Sequence, residues 1–314
     1  MGDYEREEQL SPQLRNWMIQ SLQERGISGP ELIDSARLKG GISSILHRVS
    51  VEAGGDRSEW VLRQFHDEQW LSMERDLALH EGESLQQAAS AGLPAPRLVS
   101  WDEDGRLAGR PAVLMTKLEG SVVLVPSDTE AWLDGLAASL ADVHRFEAPD
   151  FQREYFSYQD ASQLGTQHWS SVPEAWDQAI AYVRDQPRPE FRRHLIHRDY
   201  HPANVLWDGG VVSGIVDWVN ACRGPAGVDL GHCRINLAML HDAETADAFL
   251  ARYEQHAGKD FQYDPYWDLR SLIDILFGPP QVYEGWTDLG VTGLSDALMA
   301  ERLDRYVQRI LEKI

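Results

Sequence analysis

The segment H-R-D-Y-H-P-A-N-V-L-W-D-G-G-V-V-S-G-I-V-D, His197 to Asp217, constrains this chain more than any other. Val205-Leu206-Trp207 and Val211-Val212 through Ile215-Val216 are two apolar, β-branched-rich runs, and Asp208-Gly209-Gly210 between them is a turn signal. The pattern predicts an antiparallel hairpin folded about Gly209 and Gly210. Such a fold brings Asn204 at the entrance beside Asp217 at the exit, with Asp199 on the loop that feeds the hairpin. An amide oxygen and a carboxylate with a second carboxylate nearby suit a Mg²⁺–phosphate site. Mg²⁺ takes few protein ligands and leaves positions for phosphate oxygens and water.

H-x-D-x-x-x-x-N followed thirteen residues later by an Asp resembles the catalytic loop and metal-binding Asp of the protein-kinase-like superfamily. His201-Pro202 inside the loop and Asp217-Trp218 in place of D-F-G are more similar to the aminoglycoside phosphotransferase family. Asp217 and the next landmark acid, Asp229 in G-P-A-G-V-D-L, are only twelve residues apart, and no A-P-E occurs. A protein kinase needs a longer segment there to dock a protein substrate, so a small hydroxylated molecule is the expected acceptor. The resemblance implies an α+β, bilobal, protein-kinase-like fold. Residues 1–116 would form an antiparallel-sheet lobe with one key helix, and residues 117–314 a larger, mainly helical lobe.

The chain has 314 residues, enough for two lobes. No run of about eighteen apolar residues occurs, and the acidic start of the chain lacks a signal peptide's cationic and apolar regions, so the expected location is the cytoplasm. A net charge of −21 argues against nucleic acid and anionic membranes as partners. It also means that a nucleotide must be captured by local cations and metal. Cys222 and Cys233 fit plain packing thiols in a reducing compartment.

In chain order, Ser11 and Pro12 open a helix that Gly26 stops, with Leu14, Trp17, Met18 and Leu22 on its apolar face. Strands follow, interrupted by Lys39-Gly40-Gly41-Ile42-Ser43-Ser44; glycines there let backbone N–H groups approach a phosphate, so Gly40, Gly41 and Ser43 are candidate nucleotide-binding residues. A hairpin without ligand is the plainer reading of that turn. Arg63, in the strand Trp60–Phe65, falls where the resembled fold places a phosphate-contacting lysine. A helix over about 74–91 puts Glu81 on a stripe with Leu77, Leu85 and Ala88. A carboxylate there needs a partner, and Arg63 is the obvious one. The resemblance further implies that Met115 flanks an adenine and that backbone groups of Thr116 and Leu118 bond its edge.

Ser127 to Glu130 reads as a capping box, His144 as a satisfied core histidine, and Asp229, by resemblance, as the buried brace of the catalytic loop. Eleven carboxylates from Asp242 to Asp296 face three cations. They read either as an acidic cleft steering a polycation or as a solvated helical surface. The segment 277–293 reads as a loop and candidate flap.

The resulting expectation is an ATP- or GTP-dependent, Mg²⁺-dependent O-phosphotransferase, acting as a monomer or homodimer. Asp199 would be the catalytic acceptor of the hydroxyl proton, Asn204 and Asp217 would be the metal ligands, and Arg63 aligned by Glu81 would contact the phosphates. The leading acceptor is a cationic aminoglycoside-type antibiotic. A macrolide, sugar, amino alcohol or homoserine-like metabolite is the alternative, as is a nucleotide-binding relative without turnover.

Overall fold

The structure is a computed structural model and describes residues 10–38 and 44–314. The chain divides into two units, one of Met1–Glu119 with Gly214–Asn220 and the other of Gly120–Ser213 with Ala221–Ile314.

The first unit is built on a five-stranded sheet. Its elements are α1 (Pro12–Glu24), β1 (Glu31–Arg37), β2 (Ser44–Ala53), β3 (Asp56–Phe65), α2 (Glu68–Met73), α3 (Leu77–Ser90), β4 (Leu98–Asp102) and β5 (Ala112–Thr116). The strand order is β1-β2-β3-β5-β4 and every pairing is antiparallel. Ser11 caps α1 by accepting the N–H of Leu14, and Leu14, Trp17, Met18 and Leu22 pack on Val49, Val51, Leu62 and Leu114. Side chains alternate across a strand. Leu62 therefore joins that core, and Arg63 points to the opposite face, where Glu81 of α3 meets it. Gly82 allows the helix its approach: a Cβ there would lie 3.0 Å from the Trp101 ring.

The helix expected over about 74–91 is α3, which begins at Leu77, and the short α2 ahead of it was not expected. Asp67 caps the short α2 through the N–H of Trp70, and residues 74–76 break the chain before α3.

The second unit contains β6 (Ser121–Val122), α4 (Thr129–His144), α5 (Pro173–Asp185), β7 (His194–Ile196), β8 (Val205–Asp208), β9 (Val211–Ile215), β10 (Cys222–Gly224), α6 (Ala226–Leu240), α7 (Ala243–Ala257), α8 (Tyr266–Asp274), α9 (Glu284–Asp288) and α10 (Asp296–Leu311). Gly214 and Ile215, at the end of β9, count with the first unit. The predicted hairpin is present. Gly209 and Gly210 take φ +57° and +84°, the left-handed pair that a tight two-residue turn requires. β8 also pairs with β6, and β7 pairs with β10.

α6 is buried along nearly its whole length, with α4, α7, α8 and α10 around it. Its Arg234 is buried and would be costly alone. It is paired with Asp268 and with Asp247 (2.7 Å), and Tyr306 donates to Asp268 at 2.8 Å. One helix boundary differs from the sequence reading. Asp128, not Ser127, caps α4 through the N–H of Ala131, since the helix starts one residue later. α10 ends at Leu311, and Ile314 beyond it is exposed. The segment 277–293 is not loop throughout: α9 lies within it, and Trp286 is fully buried against Leu124, Leu240 and Met299.

Candidate active site

In the first unit the site centres on Arg63. Its guanidinium lies on the buried face of β3 and donates to Ser44 Oγ (2.9 Å), Glu81 Oε1 (2.9 Å) and Asp217 Oδ1 (2.6 Å). Burial works against the charged guanidinium, but Asp217 and Glu81 outweigh it and hold the Arg63 pKa above its ordinary value. Burial, reinforced by Asp217, pushes the Glu81 carboxyl up against the pull of Arg63, and Glu81 Oε2 has no hydrogen-bond partner among the described residues. The Arg63–Glu81 pair expected from the helix stripe is formed. The bond from Arg63 to Asp217 was not foreseen.

Asp217 reaches Arg63 because the chain turns sharply after β9. Ile215 N–H donates to Pro94 O (2.7 Å), Trp218 is buried with its indole N–H on Ile215 O (2.8 Å), and Asp217 between them takes φ +65°. A non-glycine residue in that region is strained, and such strain concentrates at functional sites. Met115 is buried in β5 opposite Val61, while the Thr116 N–H is already bonded to Arg97 O and its hydroxyl accepts the Arg97 N–H. Leu118 follows the strand, its side chain against Gly214. Gly40, Gly41 and Ser43 lie outside the described residues.

In the second unit the site centres on Asp199. Asp229, at the start of α6, accepts the backbone N–H of His197 (2.7 Å) and of Arg198 (2.5 Å), and His144 Nε2 lies 3.0 Å from it. His144 also bonds the Tyr253 hydroxyl (2.7 Å), so it is the satisfied core histidine that was expected. Burial would raise the Asp229 carboxyl, but the hydrogen bond with His144 and the bonds from the loop hold it below its ordinary value. Arg198 takes φ +68°, and its guanidinium stacks on Phe156 and Tyr158, each at 4.1 Å. The loop is thereby fixed on both sides of the residue preceding Asp199.

Asn204 Nδ2 donates to Asp199 O (2.9 Å) and Oδ2 (3.2 Å), and Asn204 Oδ1 takes no part in either bond. His232 Nε2 lies 3.1 Å from Asp199 Oδ1, and His201 Nε2 lies 3.9 Å away. Burial raises the Asp199 carboxyl, yet the His232 hydrogen bond and the neighbouring imidazoles hold it well below the usual carboxylate range. His201 entered the sequence reading only as part of the loop's His-Pro pair, and His232 was not singled out. His232 lies one helical turn beyond Asp229, a spacing that could have marked it.

Asn204 and Asp217 each carry oxygen, the donor type that a hard cation such as Mg²⁺ takes. Asp217 keeps about a third of its side chain exposed beside its bond to Arg63. The two residues fall in different units.

The eleven acids, read either as a cleft or as a solvated surface, are mostly engaged within the second unit. Asp242 caps α7, Asp264 caps the turn into α8, and Asp296 accepts the Val282 N–H. Glu244 and Asp247 pair with Arg309, Asp268 with Arg234, and Asp274 with Arg270. Seven of the eleven are thus engaged by the fold, three through neutral N–H groups that leave their charge in place and four through arginines. Cys222 and Cys233 are buried free thiols, and burial pushes the Cys222 thiol up to about 12. No helix among the described residues is long and apolar enough to cross a membrane.

A family model described as "Phosphotransferase enzyme family" matches residues 37–268, which include Arg63, Glu81, Asp199, Asn204 and Asp217. The chain belongs to that family. Among curated relatives, this phosphotransferase-family chain is 32% identical over 167 residues to the homoserine kinase of Methylocella silvestris, covering 48% of the chain and 50% of the relative. It is 30% identical over 171 residues to that of Chelativorans sp., covering 48% and 49%. The chain thus spans about half the length of the curated relatives it matches. Solved structures of the same fold include aminoglycoside phosphotransferase APH(4)-Ia in ternary complex with AMP-PNP and hygromycin B. That likeness has TM-score 0.56 and 21% identity, covering 88% of this chain and 94% of the other. Macrolide 2′-phosphotransferase MphH from Brachybacterium faecium is similar with TM-score 0.55 and 17% identity, covering 83% and 88%. At these identities the structural likeness concerns the fold, an antiparallel sheet followed by a helical remainder.

Proposed function

We propose that the protein transfers the terminal phosphoryl group of a nucleoside triphosphate to a hydroxyl of a small molecule. The observation that carries this reading is Asp199: an ionised carboxylate, partly exposed, on a loop whose backbone is tied to Asp229. The acceptor hydroxyl donates to the Asp199 carboxylate, its oxygen forms the new bond to phosphorus, and the bond to the leaving diphosphate oxygen breaks. The proton goes to Asp199. Such transfers pass through a loose transition state, so aim matters more than base strength, and a carboxylate of low pKa suffices. Arg63 offers charge to the phosphates, with Glu81 fixing its direction. Asn204 Oδ1 and the Asp217 carboxylate are the atoms that would hold Mg²⁺, which when bound offsets phosphate charge. Met115, Thr116 and Leu118 are the proposed adenine edge, and Gly40, Gly41 and Ser43 the proposed phosphate turn. The catalytic machinery is proposed to divide between residues 1–116 and 117–314, in the cytoplasm.

For the acceptor, the homoserine kinases among the relatives favour a small zwitterionic amino alcohol over a polycationic aminoglycoside. The test is a Mg·ATP consumption screen with L-homoserine, choline, ethanolamine, kanamycin and erythromycin, run beside Asp199→Asn. The expected result is turnover on an amino alcohol that falls by about 10²-fold or more in the variant while nucleotide affinity holds. Turnover confined to kanamycin would reverse the acceptor choice, and an unaffected Asp199→Asn would remove Asp199 from the mechanism.

A further inference from the structure

α6 meets the catalytic loop at two points on one face. Asp229 binds the loop's backbone N–H groups, and His232, three residues on, meets the loop's carboxylate at 3.1 Å. Residues three apart on a helix are surface neighbours, so one rigid element addresses both main chain and side chain of the same loop. The next turn of α6 backs the ring: Asn236 Nδ2 donates to the His232 carbonyl (3.0 Å) and lies 3.2 Å from Nε2. His201 stands edge-on to His232 at 5.9 Å and to Tyr283 at 5.8 Å, which closes the other side.

The two carboxylate oxygens of Asp199 are therefore held from opposite directions, Oδ2 by Asn204 and Oδ1 by His232. A carboxylate held at one oxygen still swings about its terminal torsion, which is broad for Asp. Held at both, it presents its remaining lone pairs along one line. We infer that His232 is a positioning residue for the phosphoryl transfer, fixing the rotation of the Asp199 carboxylate through an Nε2–H hydrogen bond to Oδ1. The inference rests on the reading of Asp199 as the group that receives the acceptor hydroxyl. His232 keeps about a quarter of its side chain exposed (24%), and Asp199 about a third (30%).

The experiment compares two variants of similar bulk, His232→Gln, which keeps a donor at the right reach, and His232→Leu, which removes it. Both are assayed with Mg·ATP and water as acceptor, and with L-homoserine added. A misaimed catalytic group costs on the order of 10–100-fold in rate. His232→Leu should lose about that in kcat, with the KM for ATP within about twofold of wild type. His232→Gln should recover most of the loss. The split between kcat and KM, and the rescue by Gln, separate aiming from a merely structural effect. Wild-type kcat in His232→Leu, or a Gln variant as slow as Leu, overturns the inference. Asp199→Asn measured alongside separates the two readings: if it keeps wild-type turnover, it is the role of Asp199 that fails, whatever the His232 variants do.

Discussion

Asp229 Oδ1 accepts the backbone N–H of Arg198 at 2.5 Å, and Arg198 stands at φ +68°, a strained position for a residue with a side chain. The hydrogen bond thus holds the loop at the residue where the strain lies. Asp229→Asn should therefore do more than remove a charge. It keeps one acceptor oxygen and sets an amide NH₂ against the other N–H donor, at a cost of about 3 kcal/mol. Denaturant unfolding should show that loss. The sign of the pH effect follows from the lowered Asp229 pKa: its stabilisation is present above the ordinary carboxylate range of about 4 and fades as pH falls through the lower folded value. Unfolding curves of the variant should thus be flatter than wild type below about pH 4.

Arg63 and Glu81 make a pair buried on both sides. Arg63→Ala leaves the Glu81 carboxylate buried without a cation, and a loss of roughly 3–5 kcal/mol is expected. Glu81→Gln keeps the shape and leaves Arg63 its bond to Asp217, so it should cost less. Chemical denaturation of the two variants checks the order; a milder effect in Arg63→Ala would contradict it.

His194, on β7, is pushed down to about 4 by burial and by the facing His144 ring. Its folded value lies below the 6.5 of a free imidazole, so the unfolded chain binds the proton first. Stability should decline as pH falls from about 6.5 towards 4 and stop changing on this account below that. His194→Gln should remove that limb in thermal melts across the interval.

The salt response of the acceptor KM distinguishes the acceptor classes. A neutral or zwitterionic acceptor predicts a KM that changes little between about 50 and 500 mM salt, whereas attraction of a polycation to acidic residues weakens as the Debye length shortens. Steady-state kinetics at several ionic strengths decides it.

The parts of the fold readable in the sequence were those written in local periodicity. Leu77, Leu85 and Ala88 defined a stripe, and the stripe named Glu81 as a buried acid that needed Arg63. Gly209-Gly210 named the hairpin. What stayed hidden depended on contacts distant in sequence. Nothing near Asp217 says that it meets Arg63, 154 residues earlier, and nothing near His232 says that its ring reaches Asp199. The left-handed turns at Arg198 and Asp217 were equally silent, since neither residue is a glycine. The acidic run stayed ambiguous for a related reason: composition counts charges, while which of them meet arginines depends on contacts distant in sequence.

The sequence of units along the chain has a practical consequence. The polypeptide leaves the first unit after Glu119, returns for Gly214–Asn220, and leaves again. No single cut separates the two. A chimera that exchanges the amino-terminal portion with that of another family member must carry the seven-residue return along with it, or Arg63 inherits a foreign acid in place of Asp217. Recombination libraries with one crossover near Glu119 should yield mostly dead clones, and those with paired crossovers bracketing Gly214–Asn220 as well should yield the survivors.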